Sequence, residues 1–232
     1  MVQIGVGGYV VGRSGEKIMR EYKKMIKKIL ALYLLLFSAT VSATEFNNNF
    51  KHKFWTKIYS DGGNTLYCKS VFTDKDRDKP GNAIPKLSLE HVYTAKQMMD
   101  FIGCSPRIEC RRTSELFNKL ETDPYNLWPA TDHANKVRGD HPFGEYPDDH
   151  PEVANCANYD KEMRKFIPVE HSRGEIARSI LHIYEKWHAP LDNDQVNLML
   201  KWNDEYPVTE EERRRNEVIY KVFGTRNEWI DL

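Results

Sequence analysis

A carboxylate and an imidazole stand side by side at Glu90 and His91, and an amide follows at Asn126. Carboxylate and amide oxygens are hard ligands of the kind that Mg²⁺ takes while it keeps several waters. A neutral imidazole nearby can remove a proton from a further water molecule. These residue types together suit metal-assisted hydrolysis, although a Glu-His pair by itself is more often an exposed acid beside a satisfied histidine.

The element that carries the pair is a short apolar run in which Leu87, Leu89 and Val92 flank Glu90 and His91. This run predicts a strand near the core. Adjacent residues of a regular strand point to opposite faces, so the two side chains can serve one site only where the strand ends or twists sharply.

A second element must bring the amide to this strand. Asp123 is a good helix cap and Pro124 suits a first helical position, which predicts Asn126 in the first turn of a short helix. Pro129 interrupts that helix, and the pattern predicts a restart around Thr131. The pattern of the 114–120 segment predicts a helix that leads the chain to this place.

The chain also carries an ordered set of motifs: LYC at 66–68, EHV at 90–92, NLWPA at 126–130, Asn135 with Arg138, RGEIAR at 173–178, and the stretch from Trp202 to Asn227. The LYC segment is also predicted to be a strand edge. In order and spacing this set resembles the endonuclease I family of secreted and periplasmic nucleases, which has a His-Me finger (ββα-metal) site. The resemblance runs from about residue 66 to the C-terminus. It implies an α+β fold: a mainly helical single domain, stapled by disulfides, around a small ββα-metal core.

The resemblance also implies a reaction, namely hydrolysis of DNA phosphodiester bonds with little sequence specificity and 5′-phosphate products, with RNA as a second candidate substrate. It makes His91 the general base, while Glu90 and Asn126 hold one Mg²⁺, for which Mn²⁺ and Ca²⁺ are alternatives. By its position Arg107 matches the arginine that holds the cleaved phosphate, the alternative being a surface arginine.

Other basic residues could contact the nucleic-acid backbone, because guanidinium groups bind phosphate bidentately. Arg111 and Arg112 follow Arg107 in the densest basic segment near the predicted site strand. Arg173 and Arg178 lie on a predicted amphipathic helix over residues 173–187. For these last two a structural ion pair is an equal alternative. Further helices are predicted over residues 194–202 and, from a capping box at Thr209, to near Gly224.

All four cysteines, Cys68, Cys104, Cys110 and Cys156, follow a predicted export signal, and an even number in an exported chain predicts two disulfides. Their spacing alone leaves three pairings open. The family arrangement of one long clamp and one local loop implies Cys68 with Cys156 and Cys104 with Cys110.

Residues 1–43 predict an N-terminal extension and a signal peptide, with a basic segment, an apolar segment at 29–37 and cleavage after Ala43. The nuclease domain would then cover residues 44–232, in the periplasm or outside the cell. Residues 1–43 contain seven of the 34 basic and two of the 34 acidic residues, so the remaining chain has a net charge of −5. Any nucleic-acid affinity must therefore come from a local basic cleft and the metal. We expect a monomer with no membrane partner after cleavage.

Three positions depart from the family pattern: Tyr93-Thr94 follows the EHV motif where a proline is usual, Tyr125 replaces a common histidine, and Asn227-Glu228-Trp229 replaces Asn-Pro-Phe. None of them removes the base or the predicted ligands. Two rival functions remain. One is an exported DNA-binding protein of the same fold without turnover. The other is a zinc hydrolase built on His133, His141 and His150, whose loop positions are more typical of solvent-exposed residues.

Overall fold

The structure is a computed structural model that describes residues 45–76, 86–147 and 156–231. All of these belong to one compact unit, residues 43–232. The predicted signal peptide and its cleavage position lie outside the described residues. None of the helices that the structure describes is both long and apolar enough to cross a membrane.

The described residues form an α+β fold in which helices predominate, as predicted. The helices are α1 Asn48–Ile58, α2 Ala95–Ile102, α3 Arg107–Thr113, α4 Glu115–Glu121, α5 Asp132–Arg138, α6 Glu170–Trp187, α7 Asn193–Glu205, α8 Glu210–Phe223 and α9 Glu228–Asp231. The strands are β1 Gly63–Asn64, β2 Val71–Phe72, β3 Leu87–His91, β4 Leu127–Thr131, β5 Tyr159–Asp160 and β6 Lys165–Phe166. They pair as β1-β2, β3-β4 and β5-β6, each pair antiparallel.

The central pair is β3 with β4, in which Glu90 lies opposite Trp128 and His91 opposite Leu127. Pro129 lies inside β4 and has no backbone N–H. Each strand of a two-stranded sheet has an outer edge without a neighbouring strand, so no hydrogen bond between strands is lost where the N–H would face that edge. Helix α5 follows β4 at once and begins at Thr131, whose side chain accepts from the backbone N–H of Ala134. The order around the site strand is therefore strand, strand, helix.

Two predictions of local structure are wrong. Residues 123–126 form a turn, not a helix, because the backbone from Leu127 onward pairs with β3. Within this turn the Asp123 Oδ1 accepts from the backbone N–H of Tyr125 at 3.0 Å, and its Oδ2 accepts from Trp187 and Lys186 at 2.8 and 2.9 Å. The LYC motif at 66–68 lies in the turn between β1 and β2, not in a strand edge. The predicted strand at 87–92 and the other predicted helices are confirmed, with shifts of a few residues at their ends.

The long helices provide the support behind the central strands. Helices α6 and α7 pack against each other, and their apolar residues join Trp128 and Ala130 of β4 in one buried cluster. The Trp128 indole donates to the hydroxyl of Ser179 on α6 at 2.8 Å. Both predicted disulfides are present, Cys68–Cys156 and Cys104–Cys110, and the first links segments 88 residues apart.

Candidate active site

Glu90 is the next-to-last residue of β3 and is almost completely buried, with 2% of its surface exposed. The Tyr67 hydroxyl donates to its Oε1 at 2.7 Å. Burial raises the pKa of the Glu90 carboxyl to about 7, although the charge of Arg138 and the bond from Tyr67 act in the opposite direction. A buried carboxylate whose charge is only partly compensated attracts a cation.

His91 has different surroundings, as expected for the next residue of a strand. Its Nε2 lies 3.0 Å from the backbone oxygen of Glu121. A carbonyl oxygen only accepts, so Nε2 carries the proton and Nδ1 keeps the free lone pair. Burial and the charge of Arg107 lower the pKa of His91 to about 4, so the imidazole is neutral at pH 7. The structure thus presents an oriented base whose accepting atom is Nδ1.

Asn126 is fully buried, and its amide is already engaged. Its Oδ1 accepts from the backbone N–H of Tyr93 at 2.6 Å, and its Nδ2 donates to the backbone oxygen of Tyr93 at 2.9 Å. These two bonds tie the turn before β4 to the segment that follows β3. The side chain therefore serves the local structure, and the proposal that Asn126 is a metal ligand stays a prediction.

A second amide, that of Asn135, lies beside β3. Asn135 is on α5, and its Nδ2 donates to the Ser88 hydroxyl at 2.9 Å and to the Leu89 backbone oxygen at 3.3 Å. Ser88 and Glu90 are two residues apart on one strand and so share a face. Among the described residues, none donates to the Oδ1 of Asn135. In the sequence Asn135 is only a marker of the family resemblance, although a helix that starts near Thr131 places it about one turn from that start.

Glu121 was missed by the sequence analysis. It ends α4, its side chain is completely buried, and it pairs with two arginines of α3. Arg107 donates through Nε at 2.5 Å, while Arg111 donates through Nε and Nη2 at 2.7 Å each. One residue therefore orients both the imidazole, through its backbone, and the two guanidinium groups, through its carboxylate. Its position four residues after the inward Phe117 was a usable signal.

A cleft of about 270 Å³ opens beside β3, with His91 in its lining. It is lined by Phe46, Lys51, Trp55, Leu87, Ser88, Leu89, His91 and Arg107. An aromatic wall, two cations and a neutral imidazole together suit a ligand that carries both a phosphate and an apolar face.

The other three arginines predicted to bind nucleic acid differ in how exposed their guanidinium groups are. Arg112 is well exposed, and among the described residues it pairs with Glu109 on its own helix. Arg173 is 12% exposed and donates to the Tyr206 hydroxyl at 3.0 Å. Arg178 is 1% exposed and forms a two-bond pair with Glu212, at 2.6 and 2.8 Å. The geometry favours the structural alternative for Arg178, whereas Arg112 remains free to contact a nucleic-acid backbone.

The zinc alternative finds no support in the part of the chain that the structure describes, where no three His, Cys, Asp or Glu side chains form a cluster that could hold a metal. His133 is exposed on α5, and the His141 ring stacks on Tyr159 with ring centroids 3.9 Å apart. His150 lies outside the described residues.

A neutral, oriented imidazole beside arginines in an open cleft suits attack on a phosphodiester, and the class of protein with such a site is a nuclease. The sequence model of one family, described as Endonuclease I, matches residues 21–232, and the chain belongs to that family.

Individual relatives agree with this class. A periplasmic deoxyribonuclease of Aeromonas hydrophila is 28% identical over 194 residues, which covers 75% of this chain and 81% of the relative. Endonuclease-1 of Buchnera aphidicola subsp. Baizongia pistaciae is 26% identical over 212 residues, covering 79% and 86%. An extracellular ribonuclease of Bacillus amyloliquefaciens is 30% identical over a shorter stretch of 128 residues, covering 47% and 43%.

Proposed function

We propose that this protein is an exported, metal-dependent endonuclease that hydrolyses DNA phosphodiester bonds with little sequence specificity and leaves 5′-phosphate ends. The observation that carries the proposal is the neutral His91 imidazole, oriented by the Glu121 backbone oxygen, at the end of β3 in a cleft that also contains Arg107. The names of the relatives support a DNA substrate and a periplasmic or extracellular location. Two relatives are named extracellular ribonucleases, which supports RNA as a second candidate substrate of this protein.

His91 is the general base of the proposed reaction. Its Nδ1 removes a proton from the attacking water, and Nε2 stays hydrogen-bonded to the Glu121 oxygen, which stabilises the imidazolium that forms. Because the pKa of His91 is lowered to about 4, the free base is present throughout the neutral range.

The residues on the Glu90 side of β3 fit a hard divalent cation. The Glu90 carboxylate is buried with partial charge compensation, and the Asn135 amide bonds Ser88, which shares the Glu90 face of the strand. Glu90 would hold the ion together with Asn135, which we propose in place of the predicted ligand Asn126 because the Asn126 amide already bonds the backbone of Tyr93. A bound Mg²⁺, or Mn²⁺ or Ca²⁺ in its place, would stabilise the charge that develops on the leaving 3′-oxygen. The strand-strand-helix order of β3, β4 and α5 supports a His-Me finger site.

Arg107 and Arg111 bind the substrate backbone. Glu121 fixes the direction of both guanidinium groups, and Arg107 retains 36% of its side-chain surface for a phosphate. Contacts to phosphate and sugar carry no base code, so the cleavage is expected to be largely independent of sequence. We expect the enzyme to act as a monomer, without a membrane partner.

The experiment that tests the proposal is cleavage of supercoiled plasmid by the oxidised protein, with Mg²⁺ and with a chelator. We expect nicked and linear plasmid only with the metal, with ends that DNA ligase can seal without prior phosphorylation. Ends that need a kinase before ligation would contradict the proposed direction of cleavage. Bound but uncut plasmid under all metal conditions would favour the binding protein.

A further inference from the structure

Phe46 is placed against the active site by the start of helix α1. Asn47 caps that helix, and its side chain accepts from the backbone N–H of Phe50 at 3.0 Å. Phe46 therefore occupies the position before the cap, where an apolar residue packs back on the first turn and fixes how the chain enters the helix. Its ring lies 5.8 Å from that of Phe50, and only 9% of the residue is exposed.

The Phe46 ring also contacts the imidazole and two cations that line the cleft, and the neighbouring Arg111. Its centroid lies 5.1 Å from that of the His91 imidazole. The ammonium of Lys51 lies 4.7 Å from the ring centre, and the guanidinium carbons of Arg107 and Arg111 lie 5.7 and 5.4 Å from it. One ring thus contacts the proposed base and three cations.

An aromatic ring has physical properties that an aliphatic side chain of similar size lacks. Its faces carry partial negative charge and attract cations, whereas its edge is partly positive. The three cations repel one another. Glu121 compensates both arginines, but no carboxylate among the described residues pairs with Lys51. The ring is therefore a second attractive centre for the cations, and its contact with the imidazole restricts rotation of the His91 side chain.

We propose that Phe46 is a positioning residue of the active site, which fixes the plane of the His91 imidazole and holds Lys51, Arg107 and Arg111 toward the cleft through its aromatic ring. The inference rests on the proposed function, because it assigns a role in the same reaction. Phe46 itself touches no reacting atom. Its effect appears in the turnover step because alignment of base and cations matters most in the transition state.

The test compares Phe46→Leu with Phe46→Tyr. Leucine keeps an apolar side chain of similar bulk but has no aromatic face, whereas tyrosine keeps the ring. Phe223→Leu is a matched control, because Lys53 lies 4.5 Å from the Phe223 ring centre but Phe223 does not line the cleft. Each variant is exported and oxidised as the wild type is, its melting temperature is recorded, and kcat and KM are measured on duplex DNA with Mg²⁺.

We expect Phe46→Leu to lower kcat about tenfold with KM within about twofold, which is the effect of one or two lost cation–π contacts. Phe46→Tyr and Phe223→Leu should keep kcat within about twofold of wild type. In combination with Arg107→Ala, the Phe46→Leu loss should be smaller than in the wild-type background, because the two residues act together.

Three results would overturn the inference: wild-type kcat in Phe46→Leu, equal losses in Phe46→Leu and Phe46→Tyr, or full additivity with Arg107→Ala. Failure of the wild type to cleave DNA under any metal condition is a separate result, which would overturn the proposed function itself. The ratio of kcat in Phe46→Leu to kcat in Phe46→Tyr thus tests the positioning role, and the cleavage rate of the wild type tests the proposed reaction.

Discussion

The two amides near β3 can be separated by experiment, because they have different predicted roles. The perturbations are Asn126→Ala and Asn135→Ala. Asn126 is fully buried and makes two bonds to the backbone of Tyr93, at 2.6 and 2.9 Å. Removing its side chain leaves a buried N–H and a buried C=O without partners. At roughly 1–3 kcal/mol for each group, the expected loss of unfolding free energy is about 2–6 kcal/mol.

Asn135 is half-buried and donates to the Ser88 hydroxyl and the Leu89 backbone oxygen. Both partners lie near solvent, so we expect Asn135→Ala to reduce the unfolding free energy by only about 1 kcal/mol. If Asn135 is a ligand, however, the variant should need on the order of 10–100 times more Mg²⁺ for half-maximal nicking.

The assay pairs urea unfolding, followed by circular dichroism, with plasmid nicking over a range of Mg²⁺ concentrations. We expect Asn126→Ala to unfold at a clearly lower urea concentration and to keep the wild-type Mg²⁺ requirement in the fraction that is folded. The reasoning is refuted if Asn126→Ala unfolds as the wild type does but needs more Mg²⁺, or if Asn135→Ala leaves the Mg²⁺ requirement unchanged.

Three further predictions concern stability. Replacing Cys68 and Cys156 by Ser should cost about 4–5 kcal/mol, since the disulfide closes a loop of 88 residues, as measured by urea unfolding. Arg178→Ala leaves Glu212 buried without its partner and should cost about 3–5 kcal/mol, with kcat per folded molecule unchanged. Burial raises the pKa of Asp123, but the bonds and charges of His182 and Lys186 outweigh it and hold that pKa well below its ordinary range. Asp123→Asn should therefore cost on the order of 2–4 kcal/mol at pH 7, by thermal unfolding.

Each of these predictions has its own contrary result. Loop closure predicts a loss of only about 2 kcal/mol of unfolding free energy when the short Cys104–Cys110 disulfide is removed. A smaller loss on removal of Cys68–Cys156 than on removal of Cys104–Cys110 would contradict this reasoning. Lower kcat in folded Arg178→Ala would place that arginine at the substrate. For Asp123, the lowered pKa means that its stabilisation is present above about pH 4 and is lost as the pH falls toward the folded-state value. The difference in unfolding free energy between wild type and Asp123→Asn should thus become smaller below pH 4. A difference that stays constant with pH would contradict the stabilising role of the Asp123 carboxylate.

Local sequence signals predicted correctly those helices whose ends are set by capping residues. Thr209 and Glu212 form the predicted capping box, and α8 ends before Gly224, which has a positive φ of 71°. The site strand was predicted from its apolar run, and β3 covers Leu87–His91. The disulfide pairing followed from the family resemblance, since the spacing of four cysteines alone leaves three possibilities.

Contacts between distant parts of the chain explain why some local predictions were wrong. Asp123 and Pro124 have the composition of a helix start, but the Asp123 carboxylate binds Trp187 and Lys186, which lie more than sixty residues away in the chain. No local pattern reports such partners. The same reason applies to Phe46 and Glu121, whose contacts with His91 join segments 45 and 30 residues apart.

Glu90 and His91 face opposite sides of β3, as predicted for adjacent residues of a strand. Glu90 meets the Tyr67 hydroxyl on one side, while His91 meets the Phe46 ring and the Glu121 backbone on the other. The proposed cation site needs a buried acid and the proposed substrate cleft needs a neutral base, and the alternation of a strand supplies these different surroundings.

The most direct test of the account is plasmid nicking by His91→Ala, with Mg²⁺ present, beside His133→Ala as the control. His133 is an exposed histidine of α5, so its removal should leave nicking unchanged. We expect His91→Ala to nick about 10²–10⁴ times more slowly while it still binds DNA, which is the usual contribution of a general base. Nicking by His91→Ala at the wild-type rate would contradict the central claim that this imidazole activates the attacking water.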